Sequence, residues 1–227
     1  MAVAKDKKLV IVGDSAFAEV ACEYFASNSC YEVSAFAVEE MYLKRDRLLD
    51  RPIVALERLT DHFPPHTHEV YVAIVYSQLN RLRTRLMQAA KQAGYGLASY
   101  VSPNAYVWRN VQIGEHCFIF ENNVMQPFVK IGDNVVLWSG NHIGHHSHIG
   151  NNVFVSSHVV ISGFCDVGDN CFLGVNVAIG NNITVAKDCW IGPGVVISKN
   201  TKEGELYRSP EPETATVSAP RFFRVKE

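Results

Sequence analysis

A six-residue period runs unbroken from Val101 to Lys202 and restricts the fold more than any other feature of the 227-residue chain. All seventeen hexads, VSPNAY through IGHHSH and VSSHVV to ISKNTK, begin with Val, Ile, Leu or Met. The fourth residue is Asn in nine of them, and the fifth is small or thin except at Asn123 and Asn141. A period of six fits neither a helix nor a simple alternating strand. It fits a short strand and a turn, repeated so that three hexads close a triangular coil. Each corner then needs a residue that tolerates a left-handed backbone, and Asn does so at little cost. The first-position aliphatics stack into an internal ladder, and the narrow fifth position suits a tight interior closed to bulky aromatics.

The preceding residues have a different grain. KLVIVG reads as a buried strand, followed by a turn at Asp14-Ser15-Ala16 and a helix from Phe17 to Ser27. YEVSAFAV, PIVAL and HEVYVAIVY read as further strands, with a helical turn over Leu56–Phe63 and a helix from Gln78 to Ala93. Strand and helix alternate, so residues 1–100 are expected to form a small Rossmann-like parallel sheet flanked by helices. Residues 101–202 form the β-helix, and residues 203–227 a tail capping its last coil. The charges over Lys44–Arg51 read as a solvated loop, and Arg81, Arg83 and Arg85 as an exposed helix face. The turn Gly13-Asp14-Ser15 follows a strand and opens a helix, a place that favours phosphate-bearing ligands. GxGxxG is absent, which argues against NAD.

A net charge of −2 with mixed signs throughout gives no basic face for nucleic acid, and no apolar run is long enough to span a membrane. With no signal-peptide pattern, a cytoplasmic protein is expected. Cys117, Cys165, Cys171 and Cys189 all fall on fifth positions and no CxxC occurs, so the six cysteines are expected to be reduced.

Five of the nine histidines crowd into one stretch, His142, His145, His146, His148 and His158. A β-helix does not need histidine for its core. Acyl transfer needs a base that titrates near neutrality, and imidazole suits that step.

The hexads resemble those of the hexapeptide-repeat acyltransferases, with their left-handed β-helix. Over roughly nine-tenths of its length the chain is similar to the PglD/NeuD-like nucleotide-sugar N-acetyltransferases of that family. The resemblance implies acetyl-CoA as co-substrate, no metal, a homotrimer with sites between subunits, a nucleotide-linked amino-deoxy sugar as acceptor, and a place in cell-surface glycan synthesis. It assigns the base to the His of an I-x-H-x motif, here Ile143-Gly144-His145-His146. It puts Gly163 near the thioester, Gly192 and Gly194 further along the bound CoA, and Gly13, Asp14, Ser15, Glu39 and His146 on the substrate side. Backbone amides near Gly163 would hold the oxyanion.

Two departures stand out. The family's Glu after the base is His146 here, which leaves Asn141 or a backbone carbonyl to orient His145. A second family histidine falls by count on Phe154, so its role is either lost or moved to His158, which lies at another corner and would meet His145 only across a subunit boundary. Sugar O-acetylation of the sialic-acid type is the alternative within the class. Outside it stand a zinc hydratase like the β-helical carbonic anhydrases, whose second ligand would fall on Gly150, and a non-catalytic trimeric scaffold.

Overall fold

The computed structural model describes residues 4–225. The first domain comprises β1 (Lys7–Val12), α1 (Ala16–Asn28), β2 (Tyr31–Val38), β3 (Arg47–Leu48), β4 (Arg51–Ala55), α2 (Leu59–His62), β5 (His68–Val72), α3 (Arg81–Gln92) and β6 (Gly96–Leu97). Its sheet has the order β3-β4-β2-β1-β5-β6, parallel except at β3–β4. β1 is central and buried from Leu9 to Val12, as its unbroken aliphatic run requires when helices cover both faces.

Tertiary structure departs from the sequence-based expectations at four places here. Lys44–Arg51 is not simply a solvated loop. Leu49 and Asp50, both left-handed, turn β3 back onto β4, and Leu48 is buried. β5 ends at Val72, short of the expected Tyr76. α3 begins at Arg81, because Gln78, Leu79 and Asn80 all have positive φ and cannot start a right-handed helix. Arg83 is wholly buried, whereas Arg81 and Arg85 are exposed. Residues two apart on a helix point about 200° from one another, so the three arginines cannot share a face.

The second domain is the expected triangular parallel β-helix of left-handed type. Two-residue strands stack into three sheets. The first face runs from Tyr100–Val101 to Leu206–Tyr207, the second from Tyr106–Val107 to Val196–Ile197, and the third from Gln112–Ile113 to Thr184–Val185. Up to the last coil each strand residue pairs with the one eighteen further on, as in Phe118 with Val136, His142 with Val160 and His148 with Asp166. From His116 to Gly194 every fourth hexad position has a positive φ. All six cysteines are free. Inside the coils, the thiols of Cys117, Cys165 and Cys171 donate to carbonyls of the next coil at 3.0–3.2 Å.

The faces are unequal. Phe118, Phe120, Trp138, Phe154, Phe172 and Trp190 all point out of the first face, where the first domain covers them. Phe17 meets Phe118 at 5.8 Å, Tyr24 meets Phe120 at 4.9 Å, and Tyr76 meets Phe172 at 4.5 Å between ring centroids. At the neighbouring corner Arg83 donates to Asn134 Oδ1 (2.9 Å) and to its carbonyl (2.7 Å). His116 Nδ1 lies 2.8 Å from the same Oδ1, and its Nε2 accepts from the Val72 amide at 2.8 Å. Both contacts require the neutral ring protonated on Nδ1. The domains therefore share one core.

The start of the tail lies along the edge of the last coil. Leu206–Tyr207 extends the first face by pairing with Trp190–Ile191, so the coil runs past residue 202, and residues 208–225 are exposed. Among the described residues no helix is long and apolar enough to cross a membrane.

Burial holds the His116 imidazole down at about 3. Between an unfolded value of about 6.5 and that value, only the unfolded chain binds the proton, so stability falls as pH falls, by about 1.4 kcal/mol per unit. The loss should reach about 2 kcal/mol near pH 5, and His116→Gln should remove that part of the slope. Urea unfolding at about pH 7.5 and about pH 5 checks this. An unchanged slope in the variant would place the acid sensitivity elsewhere.

Candidate active site

The β-helix sorts the crowded histidines by column, not by nearness in sequence. His145 and His146 share the corner between the second and third faces, opposite the face that carries the first domain. His142 lies on the second face and His148 on the third, with His148 Nδ1 3.1 Å from Asp166. His158 occupies the corner between the first and second faces, over Gly140, as its hexad position implied. Among the described residues no three potential ligands gather to hold a metal ion.

At the second–third corner, the His145 amide donates to Gln126 Oε1 at 2.9 Å, which fixes the backbone. The ring stands edge-on to Phe164 at 5.1 Å, with Nδ1 3.1 Å from His146 Nδ1. His146 is stacked between Phe128 (4.5 Å) and Phe164 (4.8 Å), so both ring faces are covered and only its edge remains for polar contacts. Gly163 sits one coil beyond His145. A Cβ there would lie 2.8 Å from His145 Cε1 and 2.9 Å from Nε2, so the glycine keeps that edge open.

Two expectations fail here. Asn141 does not orient His145. It points into the coil, donating to the Trp138 carbonyl and accepting from the Val159 amide at 2.7 Å, which satisfies a buried amide in a position too narrow for a larger group. The amides around Gly163 do not form an oxyanion hole within the chain. Gly163 donates to Asn181 Oδ1 at 3.0 Å, and Ser162 and Phe164 to the carbonyls of Ile179 and His145.

In the first domain, Gly13, Asp14 and Glu39 do converge. With Tyr42, Lys44 and Ile74 they line a cleft of about 400 Å³ at the carboxyl ends of β1 and β2. Ser15 stands beside it as the residue before α1. Gly13 has φ of 122°, and a Cβ would lie 2.9 Å from the Ala73 carbonyl, so no other residue fits. Glu39 receives both arms of Arg85 at 2.9 Å, and these hydrogen bonds hold its carboxyl below the usual range. Arg45 reaches Asp14 through its carbonyl and carboxylate. Gly192 lies elsewhere, in a cleft of about 390 Å³ with Trp190, Pro193 and Arg208–Pro212. Gly194 stands on the first–second corner, so neither glycine shares the corner of His145 and Gly163.

Phe128 and Phe164 were not anticipated, although the signal was present. MQPFVK and ISGFCD place Phe where Asn is the rule, one coil either side of His146. Lys44, which lines the cleft, and Arg45 and Arg85, which pair with Asp14 and Glu39, carried no such signal.

A family model for the bacterial transferase hexapeptide (six repeats) matches residues 128–163, and one for the hexapeptide repeat of succinyl-transferase matches residues 166–199. No curated protein sequence matches significantly. Among solved structures, the acetyltransferase domain of PglB from Neisseria gonorrhoeae FA1090 is similar at TM-score 0.79 and 20% identity, over 88% of this chain and 96% of that one. A His-to-Asn mutant of perosamine N-acetyltransferase from Caulobacter crescentus, in complex with CoA and GDP-perosamine, is similar at TM-score 0.79 and 22% identity, over 88% and 93%. WeeI from Acinetobacter baumannii AYE follows at 0.57 and 17%, over 85% and 94%. Residues 128–199 thus carry the hexapeptide repeat that these two models describe. The two domains together have the fold of the PglB and perosamine N-acetyltransferase structures.

Gly163→Ala should force the His145 ring away from its contacts with His146 and Phe164, at a cost of about 1–3 kcal/mol from the overpacked corner. A crystal structure of the variant with a urea melt checks this. A ring left in place would show that Gly163 does not shape the site.

Proposed function

We propose that the chain is an acyltransferase that moves an acetyl group from acetyl-CoA to the amine of a nucleotide-linked amino-deoxy sugar. One observation carries this: His145 stands on an exposed corner with its Nε2 edge left open by Gly163, within a fold shared with sugar N-acetyltransferases. The solved PglB domain is described with acetyl coenzyme A and the perosamine enzyme with CoA and GDP-perosamine, so the co-substrate and acceptor class follow the same line.

In the proposed reaction the neutral amine attacks the thioester carbonyl, forming the C–N bond as His145 Nε2 takes the departing proton. The tetrahedral intermediate collapses with cleavage of the C–S bond, and the CoA sulfur leaves as the thiol, recovering that proton. Oxyanion donors must come from amides other than Gly163, whose N–H is already used. The nucleotide occupies the cleft of Gly13, Asp14 and Glu39, where Lys44 and Arg45 supply positive charge for a diphosphate.

The geometry also supports shared sites. The first domain covers the first face, and His145 stands at the opposite corner, so a sugar held by one chain faces away from that chain's own base. A homotrimer in which one subunit's cleft serves its neighbour's His145 resolves this, and lets His158 approach from across the boundary. Use of acetyl-CoA and a nucleotide sugar favours a cytoplasmic reaction, as a step of cell-surface glycan synthesis.

Thiol release from acetyl-CoA, measured with UDP-, dTDP- and GDP-linked amino sugars, tests the assignment. His145→Ala should lower kcat by about 10²–10⁴-fold on the accepted sugar. Undiminished turnover in the variant would exclude His145 as base. Silence with every amine while acetyl-CoA still binds would point to a hydroxyl acceptor. Mixing inactive His145→Ala and His158→Ala subunits should restore roughly a quarter of wild-type turnover if each site draws on two chains. No recovery would remove His158 from the site.

A further inference from the structure

At the second–third corner Phe128 and Phe164 have φ of 67° and 57°, and each is 54% exposed. A bulky residue in the left-handed region is an outlier. Asn, which fills nine of the fourth positions, would hold the same backbone without strain and without exposing an apolar ring. These two phenylalanines therefore do not serve stability. Their rings lie against the two faces of His146 at interplanar angles of 26° and 15°, and Phe164 also meets the edge of His145. Such clamping of a ring, on a strained backbone, is the kind of local cost that accumulates at functional sites.

What the clamp fixes is a direction. His146 Nδ1 lies 3.1 Å from His145 Nδ1, and two lone pairs cannot face one another there, so one nitrogen carries the proton. Phe128, Lys130, Ser147 and His148 line the adjoining cleft of about 540 Å³ with His146, and none of the three polar residues is paired with either Nδ1.

We propose that His146, held between Phe128 and Phe164, is the positioning residue for His145, a role that rests on the base function proposed above. To accept a proton at Nε2, His145 must carry its resting proton on Nδ1. The fixed acceptor for that proton is His146 Nδ1, so His146 is itself protonated on Nε2. When Nε2 of His145 takes the substrate's proton, the Nδ1–H···Nδ1 bond becomes charge-assisted and holds the imidazolium in place. The pair does for this chain what a carboxylate neighbour would do, with a neutral ring.

The tautomer can be read directly. Two-bond ¹⁵N–¹H correlation spectra of histidine-labelled full-length protein, at mildly alkaline pH where imidazole is neutral, should show His145 protonated on Nδ1. His146→Ala should free the ring to take the Nε2–H form, and lower kcat about 10–100-fold while the KM for acetyl-CoA stays within about two-fold. His146→Glu, which returns an acceptor, should restore the Nδ1–H form and most of kcat. Since His146→Ala could perturb the corner, Phe128→Asn/Phe164→Asn gives a second arm. It should lower kcat at least about five-fold while Tm stays level or rises. His145 protonated on Nε2 in the wild type, or a tautomer and kcat indifferent to His146→Ala, would overturn the proposal. So would a double variant that loses Tm and keeps kcat. The spectra need no turnover: a fixed tautomer in a protein that acetylates nothing would refute the transferase and leave the oriented pair standing.

Discussion

The eighteen-residue stacking register governs the rest of this molecule. Because each residue lies over the one a full coil earlier, a feature repeated at that interval becomes a continuous column, and anything off the interval is dispersed. Aromatic residues on the first face become a hydrophobic wall that the first domain must cover. Phe128, His146 and Phe164 become a stack of rings on one corner, and Gly163 becomes the gap above His145. The backbone ladder of the coils is satisfied internally, so side chains on the corners are free to take on chemistry.

The same register separates two parts that a transferase must bring together. Arg83, Asn134 and His116 lock the first domain to one side of the triangle through buried, neutral-acceptor hydrogen bonds. An arginine buried without a carboxylate is costly unless its donors are met, and breaking the set would leave a buried charge uncompensated. That lock sets the cleft of Gly13, Asp14 and Glu39 on the side of the first face, whereas His145 stands at the opposite corner. In the function proposed above, assembly of copies around a common axis would close that distance and make the site a property of the oligomer.

Much of this was legible in the residues. The hexads carried the β-helix and its left-handed corners, and the inward place of four cysteines, because period and corner chemistry are local. The alternation of strand and helix carried the first domain. Gly13, Asp14 and Glu39 met as expected, because strand ends at a sheet's switch point converge in any such fold. What escaped was whatever depends on a second element. Arg83 looks like a surface residue until β5 and the β-helix close over α3. Asn141 reads as polar and therefore available, yet it fills the coil interior. The tail turned out to lend one strand and then leave the coil. The hexad positions already set His158 apart from His145 and His146, but only counting in eighteens puts Phe128 and Phe164 on either side of His146.

The account rests on that corner being where acetyl transfer occurs. A crystal structure of the assembled protein with CoA bound tests it most directly. The account predicts the CoA sulfur lodged beside Gly163, within hydrogen-bonding reach of His145 Nε2, at a boundary between two subunits. CoA bound with its thiol at another corner, or a site enclosed by one chain and remote from His145, would contradict it.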